Sequence, residues 1–292
     1  MNKISILGAT GNLGGLAIGH LLDMGIPADR LVAVVRDTEK AQALKRRGIE
    51  IRKGDYDDPG FSSQVFQGAD KLLFVSSPSM DGVRRIKQHA AVVEAARDAG
   101  VRHIVYTGLA FPAAHGTPLR YVHQATELAL EASGVPFTVL RNAFYMEYFI
   151  VKAELDRAVG SGRLPSAASG QQVNFVSRSD LALAAAVVLT GDGHEGKIYE
   201  LTFPRAYSYA DIAAALSRVS GKAIAHREVG VEELQAQLRA YGLTPEQIAA
   251  DSSAFQPAFA SGWAGATSDA LVKLIGRERL TTMEDYIRRL YS

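Results

Sequence analysis

Short apolar runs rich in β-branched residues alternate with amphipathic stretches through the first half of the chain. Ile4-Ser5-Ile6-Leu7, Leu31-Val32-Ala33-Val34-Val35, Ile49-Glu50-Ile51, Leu72-Leu73-Phe74-Val75, Ile104-Val105-Tyr106 and Phe137-Thr138-Val139-Leu140 read as six strands. Between them, 38–47 reads as a helix closed by Gly48. Ile86, Ala90, Val93 and Ala96 mark one face of a second helix ended by Gly100, and 119–133 forms a third ended by Gly134. Strands and helices in strict alternation predict βαβ units on a parallel sheet.

The second half is less regular. An aromatic-rich segment over 142–150 follows the sixth strand, and Ser179-Asp180 is expected to cap an alanine-rich helix over 181–189. Ile198-Tyr199-Glu200-Leu201 reads as a further strand. Helices are expected over 212–219, 231–241, 245–250, 271–275 and 283–290. The Gly/Ser/Ala-rich stretch 261–268 reads as a loop carrying the only tryptophan, Trp263, either as a lid or as a packed anchor.

The first strand runs directly into Gly8-Ala9-Thr10-Gly11-Asn12-Leu13-Gly14, and a helical pattern follows. A strand, a glycine turn and a helix start place backbone N–H groups at the positive end of a helix, where a pyrophosphate binds. The first glycine permits a sharp turn, the second a close approach to phosphate, and Gly14 close packing of helix on strand. In an open parallel sheet all carboxyl ends of the strands face one crevice. Behind the strands, that edge collects the glycine turn, Arg36, Asp55, Ser76-Ser77-Pro78, Thr107-Gly108 and Arg141-Asn142. Arg36 stands where a reader of the ribose 2′ position is expected, and a guanidinium there suits a 2′-phosphate, hence NADPH; neighbouring Asp37 keeps NADH open.

Composition narrows the field. At 292 residues and 47% hydrophobic, the chain can build one large α/β core with a smaller appended lobe. Lys+Arg 32 against Asp+Glu 31 leaves a formal charge of +1, so no nucleic-acid partner is expected. The absence of cysteine removes disulfides and thiol chemistry, and no apolar run is long enough to span a bilayer; a soluble cytoplasmic protein, monomer or homodimer, is expected. The run 191–197 fits the opening of a P-loop, but Ile198 occupies the metal-binding Ser/Thr place and a strand follows, so it reads as a βα-type connection. Histidines 20, 89, 103, 115, 123, 194 and 226 show no metal-ligand spacing, and no G-x-S-x-G is present.

The glycine motif, Val35-Arg36, Gly54-Asp55-Tyr56, 103–108, His123-Gln124-Ala125-Thr126-Glu127, 135–145, 180–190 and Leu274-Ile275-Gly276-Arg277 together resemble the NmrA-like branch of the atypical short-chain dehydrogenase/reductase superfamily. The likeness is greatest to its quinone oxidoreductase and triphenylmethane reductase type. The resemblance implies an α/β fold, a Rossmann-like doubly wound parallel sheet with a smaller, mainly helical C-terminal substrate lobe. It divides the chain into a dinucleotide-binding domain over 1–145, with 177–203 returning to it, and a substrate lobe over 146–176 and 204–292. It also implies NADPH along Gly8, Thr10, Gly11, Asn12, Leu13, Gly14, Arg36 and Asp55, with nicotinamide near Ser76, Ser77 and Thr107. The acceptor would be a small aromatic such as a quinone or dye, held by Tyr145, Phe149 and Trp263. The chain departs from the superfamily's Tyr-x-x-x-Lys pair, because Ala125 follows Tyr121 by four residues. Hydride transfer to a quinone tolerates that loss; His123 is the expected proton donor and Asn142 the expected hydrogen-bonding partner of substrate or nicotinamide. Two other readings stay open: a non-catalytic NAD(P)-binding redox sensor, and an epimerase or isoflavone-type reductase.

Overall fold

The strands in chain order are β1 Lys3–Leu7, β2 Leu31–Val35, β3 Glu50–Lys53, β4 Ala69–Phe74, β5 His103–Leu109, β6 Phe137–Asn142, β7 Phe144–Tyr145, β8 Arg163–Ser166, β9 Phe175–Val176, β10 Ile198–Leu201 and β11 Ala225–Glu228. This is a computed structural model, and it describes residues 3–58, 61–114, 117–245, 248 and 255–292. Seven strands form one parallel sheet in the order β3-β2-β1-β4-β5-β6-β10. The order reverses between β1 and β4, which opens a crevice beyond their carboxyl ends. β8 pairs with β11, and β7 with β9, as two separate two-stranded parallel ribbons. The protein is thus α/β with a Rossmann-like central sheet.

Helices α1 Asn12–Asp23, α2 Gln42–Arg46, α3 Gly82–Asp98, α4 Leu119–Ser133, α5 Met146–Phe149, α6 Lys152–Ser161, α7 Arg178–Thr190, α8 Tyr209–Ser220 and α9 Val231–Ala240 follow in turn. Further helices span Ala270–Ile275 and Met283–Tyr291. Alternation along the strands builds a core on each face of the sheet. Ile4, Ile6, Leu73, Val105 and Leu140 pack toward Ala17, Ile18 and Leu21 of α1 and the alanines of α7. Val34, Leu72, Phe74, Ile104 and Val139 face Val92 and Ala96 of α3 and Leu130 of α4. Strands buried on both faces carry near-continuous apolar runs, which is why they are legible in the sequence.

Several elements differ from expectation. The 38–47 helix is a 3-10 turn over Glu39–Ala41 followed by the short α2. In α3, Ile86 and Ala90 face solvent, while Gln88 and His89 are buried beside Val92, Val93 and Ala96. The face is rotated because those two polar side chains are needed beneath the loop after β4. Helix α7 begins earlier than expected: Ser177, not Ser179, is its cap and accepts from the Asp180 N–H at 3.1 Å. Buried Asp180 instead accepts from the Thr281 N–H (2.8 Å) and hydroxyl (2.9 Å), tying α7 to the C-terminal segment. The run 191–197 joins helix α7 to strand β10, so it is an αβ connection rather than a βα one. Part of the helix expected over 245–250, and His115, lie outside the described residues. Among those described, no helix is long and apolar enough to cross a membrane.

Candidate functional site

The carboxyl ends of β1 to β4 border a cleft of about 570 Å³. Its wall contains Gly8, Thr10, Gly11, Asn12, Leu13, Gly14, Arg36, Asp55, Ser76 and Ser77, so ten residues singled out from sequence meet in one place. Gly8 turns the chain with φ +65°, a conformation that side chains resist, and the Gly11 N–H returns to its carbonyl at 2.8 Å. A Cβ on Gly14 would collide with the Gly8 carbonyl, 2.8 Å from its carbon. The start of α1 therefore lies hard against the end of β1.

That helix start is chemically bare. No side chain caps α1 and no acid occupies its first turn, whereas Ser177, Ser208 and Thr282 cap α7, α8 and the Met283–Tyr291 helix. Uncapped N–H groups and the helix dipole leave a place for an anion. Arg36 is exposed on the same cleft and forms no ion pair among the described residues. Exposed Asp37 accepts from the Glu39 N–H at 3.0 Å and lies 3.9 Å from Lys40. Lys40, which the sequence did not single out, also lines the cleft. A bare helix start followed by an unpaired arginine fits a pyrophosphate and a further phosphate.

The loop after β4 is held from below by a buried polar network. The Ser76 N–H donates to Thr107 Oγ1 at 3.0 Å, which gives Thr107 its place at the site although it does not line the cleft. The Ser77 N–H donates to His89 Nε2 (3.0 Å), and His89 Nδ1 lies 2.7 Å from Thr126 Oγ1, whose own proton goes to the Val122 carbonyl. These partners fix the neutral tautomer with hydrogen on Nδ1. Ser77 Oγ donates to Gln88 Oε1 (2.5 Å), and Gln88 Nε2 donates to Asp57, which Arg84 grips with two bonds of 2.8 and 2.7 Å. Sequence reasoning missed Gln88 and His89; their signal was two polar residues on the inward side of an amphipathic helix.

Burial, and then the charge of Arg85, push the His89 pKa from 6.5 down to about 3. Unfolding frees the ring to bind a proton between those two values, so this group makes stability fall as pH drops through that window, by up to about 1.4 kcal/mol per pH unit. The melting temperature is expected to fall between neutral pH and about pH 5 more steeply in the native protein than in His89→Gln, whose amide oxygen still accepts from Ser77. Equal slopes would remove His89 from the account.

Among the residues expected to do chemistry or hold the acceptor, His123, Asn142 and Phe149 are buried. His123 is 4% exposed, bonded to the Tyr106 hydroxyl through Nδ1 at 2.7 Å, and is not among the residues lining the cleft. His123 therefore lies beneath the surface and outside the cleft lining. Glu127 pairs with Arg141 (2.6 Å), while Arg141 also holds Glu200 (2.8 Å). Tyr121 is 56% exposed, on the outside of the protein. Asn142 is 3% exposed; its Nδ2 donates to the Tyr145 hydroxyl at 3.3 Å and its Oδ1 has no partner. Tyr145 is half-buried with the Arg178 guanidinium 4.8 Å from its ring centroid. Phe149, at 5% exposure, packs among Phe144, Phe175 and Phe259 and does not line the cleft. Trp263 donates to the Ala258 carbonyl at 2.7 Å and packs on Phe144 and Phe259, as an anchor does.

The NmrA-like family model matches residues 1–287. The chain belongs to that family. Quinone oxidoreductase 2 of Escherichia coli (strain K12) is 36% identical over 289 residues, 99% of each chain. NAD(P)H azoreductase of Xenophilus azovorans is 28% identical over 284 residues, 96% of each chain. The structure of Citrobacter sp. triphenylmethane reductase complexed with NADP(H) has a TM-score of 0.93 and 43% identity, with 99% of both chains covered.

Proposed function

We infer that this protein is an NADPH-dependent oxidoreductase that passes a hydride to a quinone or similar flat aromatic acceptor. The observation that carries the reading is the cleft at the sheet's switch point, with its bare helix start and unpaired Arg36. Its relatives are named a quinone oxidoreductase, an azoreductase and a triphenylmethane reductase, all acting on conjugated molecules. Gly11, Asn12, Leu13 and Gly14 would hold the pyrophosphate, Arg36 with Lys40 the 2′-phosphate, and Asp55 the far end of the cleft. Ser76 and Ser77 would border the nicotinamide, with Thr107 holding the Ser76 N–H from behind. NADPH supplies the two electrons and one hydrogen as hydride when bound there.

The remaining roles belong to the chain. The His89 and Gln88 network keeps the 76–77 loop rigid, so positioning supplies much of the rate. Asn142, whose buried Oδ1 has no hydrogen-bond partner, and half-buried Tyr145 would serve as polar and aromatic partners for the acceptor, with Phe149 and Trp263 packed on neighbouring Phe144. With no Tyr-x-x-x-Lys pair and His123 covered, solvent gives the proton that completes reduction. A chain without cysteine that draws on reduced dinucleotide fits a cytoplasmic setting. Stoichiometry tests the hydride step: under anaerobic conditions one hydroquinone should form per NADPH consumed. Semiquinone appearing as a free product would refute it.

A further inference from the structure

We propose that Arg85 selects the acceptor by charge, favouring neutral quinones, which gain negative charge on reduction, over cationic dyes, which lose positive charge. The inference rests on the reductase reading above. Neighbouring arginines on α3 have different fates. Arg84 is exposed and spends its guanidinium on Asp57. Arg85 turns inward and is half-buried: its Nη2 donates to Ser76 Oγ at 2.6 Å, while its Nε is covered and has no partner. No carboxylate pairs with it among the described residues.

A cation stripped of water without a counter-charge is costly, and burial pulls the Arg85 pKa down accordingly. Such a group is retained where a ligand brings the missing negative charge. The surroundings agree in sign. The Arg178 guanidinium lies 4.8 Å from the Tyr145 ring centroid, and two carboxylates of the surrounding elements are engaged, Glu127 with Arg141 and Glu147 with the Arg178 N–H at 2.9 Å. The Ser76 hydroxyl, which lines the cleft, carries the Arg85 contact to the edge of the site.

The chemistry follows from that charge. A quinone takes up two electrons and one hydrogen as hydride from the bound dinucleotide, whose ring is oxidised by the same two electrons. One quinone oxygen is left as a phenolate and then takes a proton from solvent. Arg85 does not line the cleft itself, so its charge acts on the developing anion across Ser76, whose hydroxyl it holds at the cleft edge. A triphenylmethane cation forms a C–H bond with the same hydride and ends neutral, so no anion appears and Arg85 opposes its binding.

The test compares the native protein with Arg85→Leu, and with Arg85→Lys as the charge-keeping control. Anaerobic NADPH consumption is followed with benzoquinone and with a cationic triphenylmethane dye. Calorimetry on NADP⁺-loaded protein measures binding of 2,6-dichloro-4-nitrophenolate and of its neutral methyl ether. Arg85→Leu should lower kcat/KM for benzoquinone on the order of a hundredfold while sparing or raising that for the dye. It should weaken the phenolate at least about tenfold and leave the ether unchanged, and Arg85→Lys should retain the phenolate preference. An unchanged quinone-to-dye ratio, or equal loss of phenolate and ether, overturns the proposal. If the native protein reduces neither acceptor, the reductase reading fails, and the phenolate–ether comparison alone decides Arg85.

Discussion

Arg36→Glu weakens NADPH on the order of a hundredfold and leaves NADH within a few-fold, measured by titration of each dinucleotide at fixed ionic strength. A charge-assisted hydrogen bond to phosphate contributes about 1.5–3 kcal/mol, and reversing the charge adds repulsion to that loss. NADH has no 2′-phosphate, so it should not register the change. The selectivity of the prediction comes from the 2′-phosphate itself; Asp37 is an exposed carboxylate that accepts from the Glu39 N–H. Lys40 remains on the cleft as a second cation, and Arg36→Glu with Lys40→Ala should lose more than Arg36→Glu alone. Equal loss of both dinucleotides would mean that Arg36 acts on the fold and not on the 2′-phosphate.

Gly14→Ala is expected to cost about 1–3 kcal/mol of stability and at least about tenfold in NADPH affinity. The added methyl has nowhere to go, because its obstacles are the Gly8 carbonyl and the Leu7 oxygen at 3.1 Å, all backbone. Relief requires α1 to move off β1, and that displaces the helix start proposed to meet the pyrophosphate. Gly19 of the same helix is the matched control: nothing lies within 4 Å of a Cβ added there. Gly19→Ala should be neutral or stabilising by up to about 1 kcal/mol. Thermal melts and dinucleotide titrations on both variants separate crowding from helix propensity; a Gly14→Ala protein that melts and binds like Gly19→Ala would contradict the geometry.

The parallel sheet and its cleft were legible because their signals are local. Runs such as Leu31-Val32-Ala33-Val34-Val35 are buried on both faces, and the glycine turn must follow β1 to work at all. What stayed hidden depends on distant partners. Ile86 and Ala90 fit a helical apolar stripe, yet the helix is rolled so that His89 and Gln88 reach Ser77, a contact that no periodicity announces. The pairing of β8 with β11 joins segments some 60 residues apart in register, Leu164 opposite His226, and neither strand has an apolar run. The Ser177 cap was legible in principle from serine followed three residues later by Asp180, but Ser179 offered a competing hydroxyl; its backbone oxygen instead lies 3.1 Å from His20. His123 was singled out through the resemblance, and only the fold shows its Nδ1 bonded to the buried Tyr106 hydroxyl.

The central claim is that the cleft holds NADPH and delivers its hydride to an aromatic acceptor. Purified protein, mixed anaerobically with NADPH or NADH and then with benzoquinone, is followed by the absorbance of the reduced nicotinamide against a protein-free control. Fast, saturable loss of NADPH, well ahead of NADH, is the predicted result. Tight NADPH binding with no oxidation across quinones, azo compounds and triphenylmethane dyes would contradict the account.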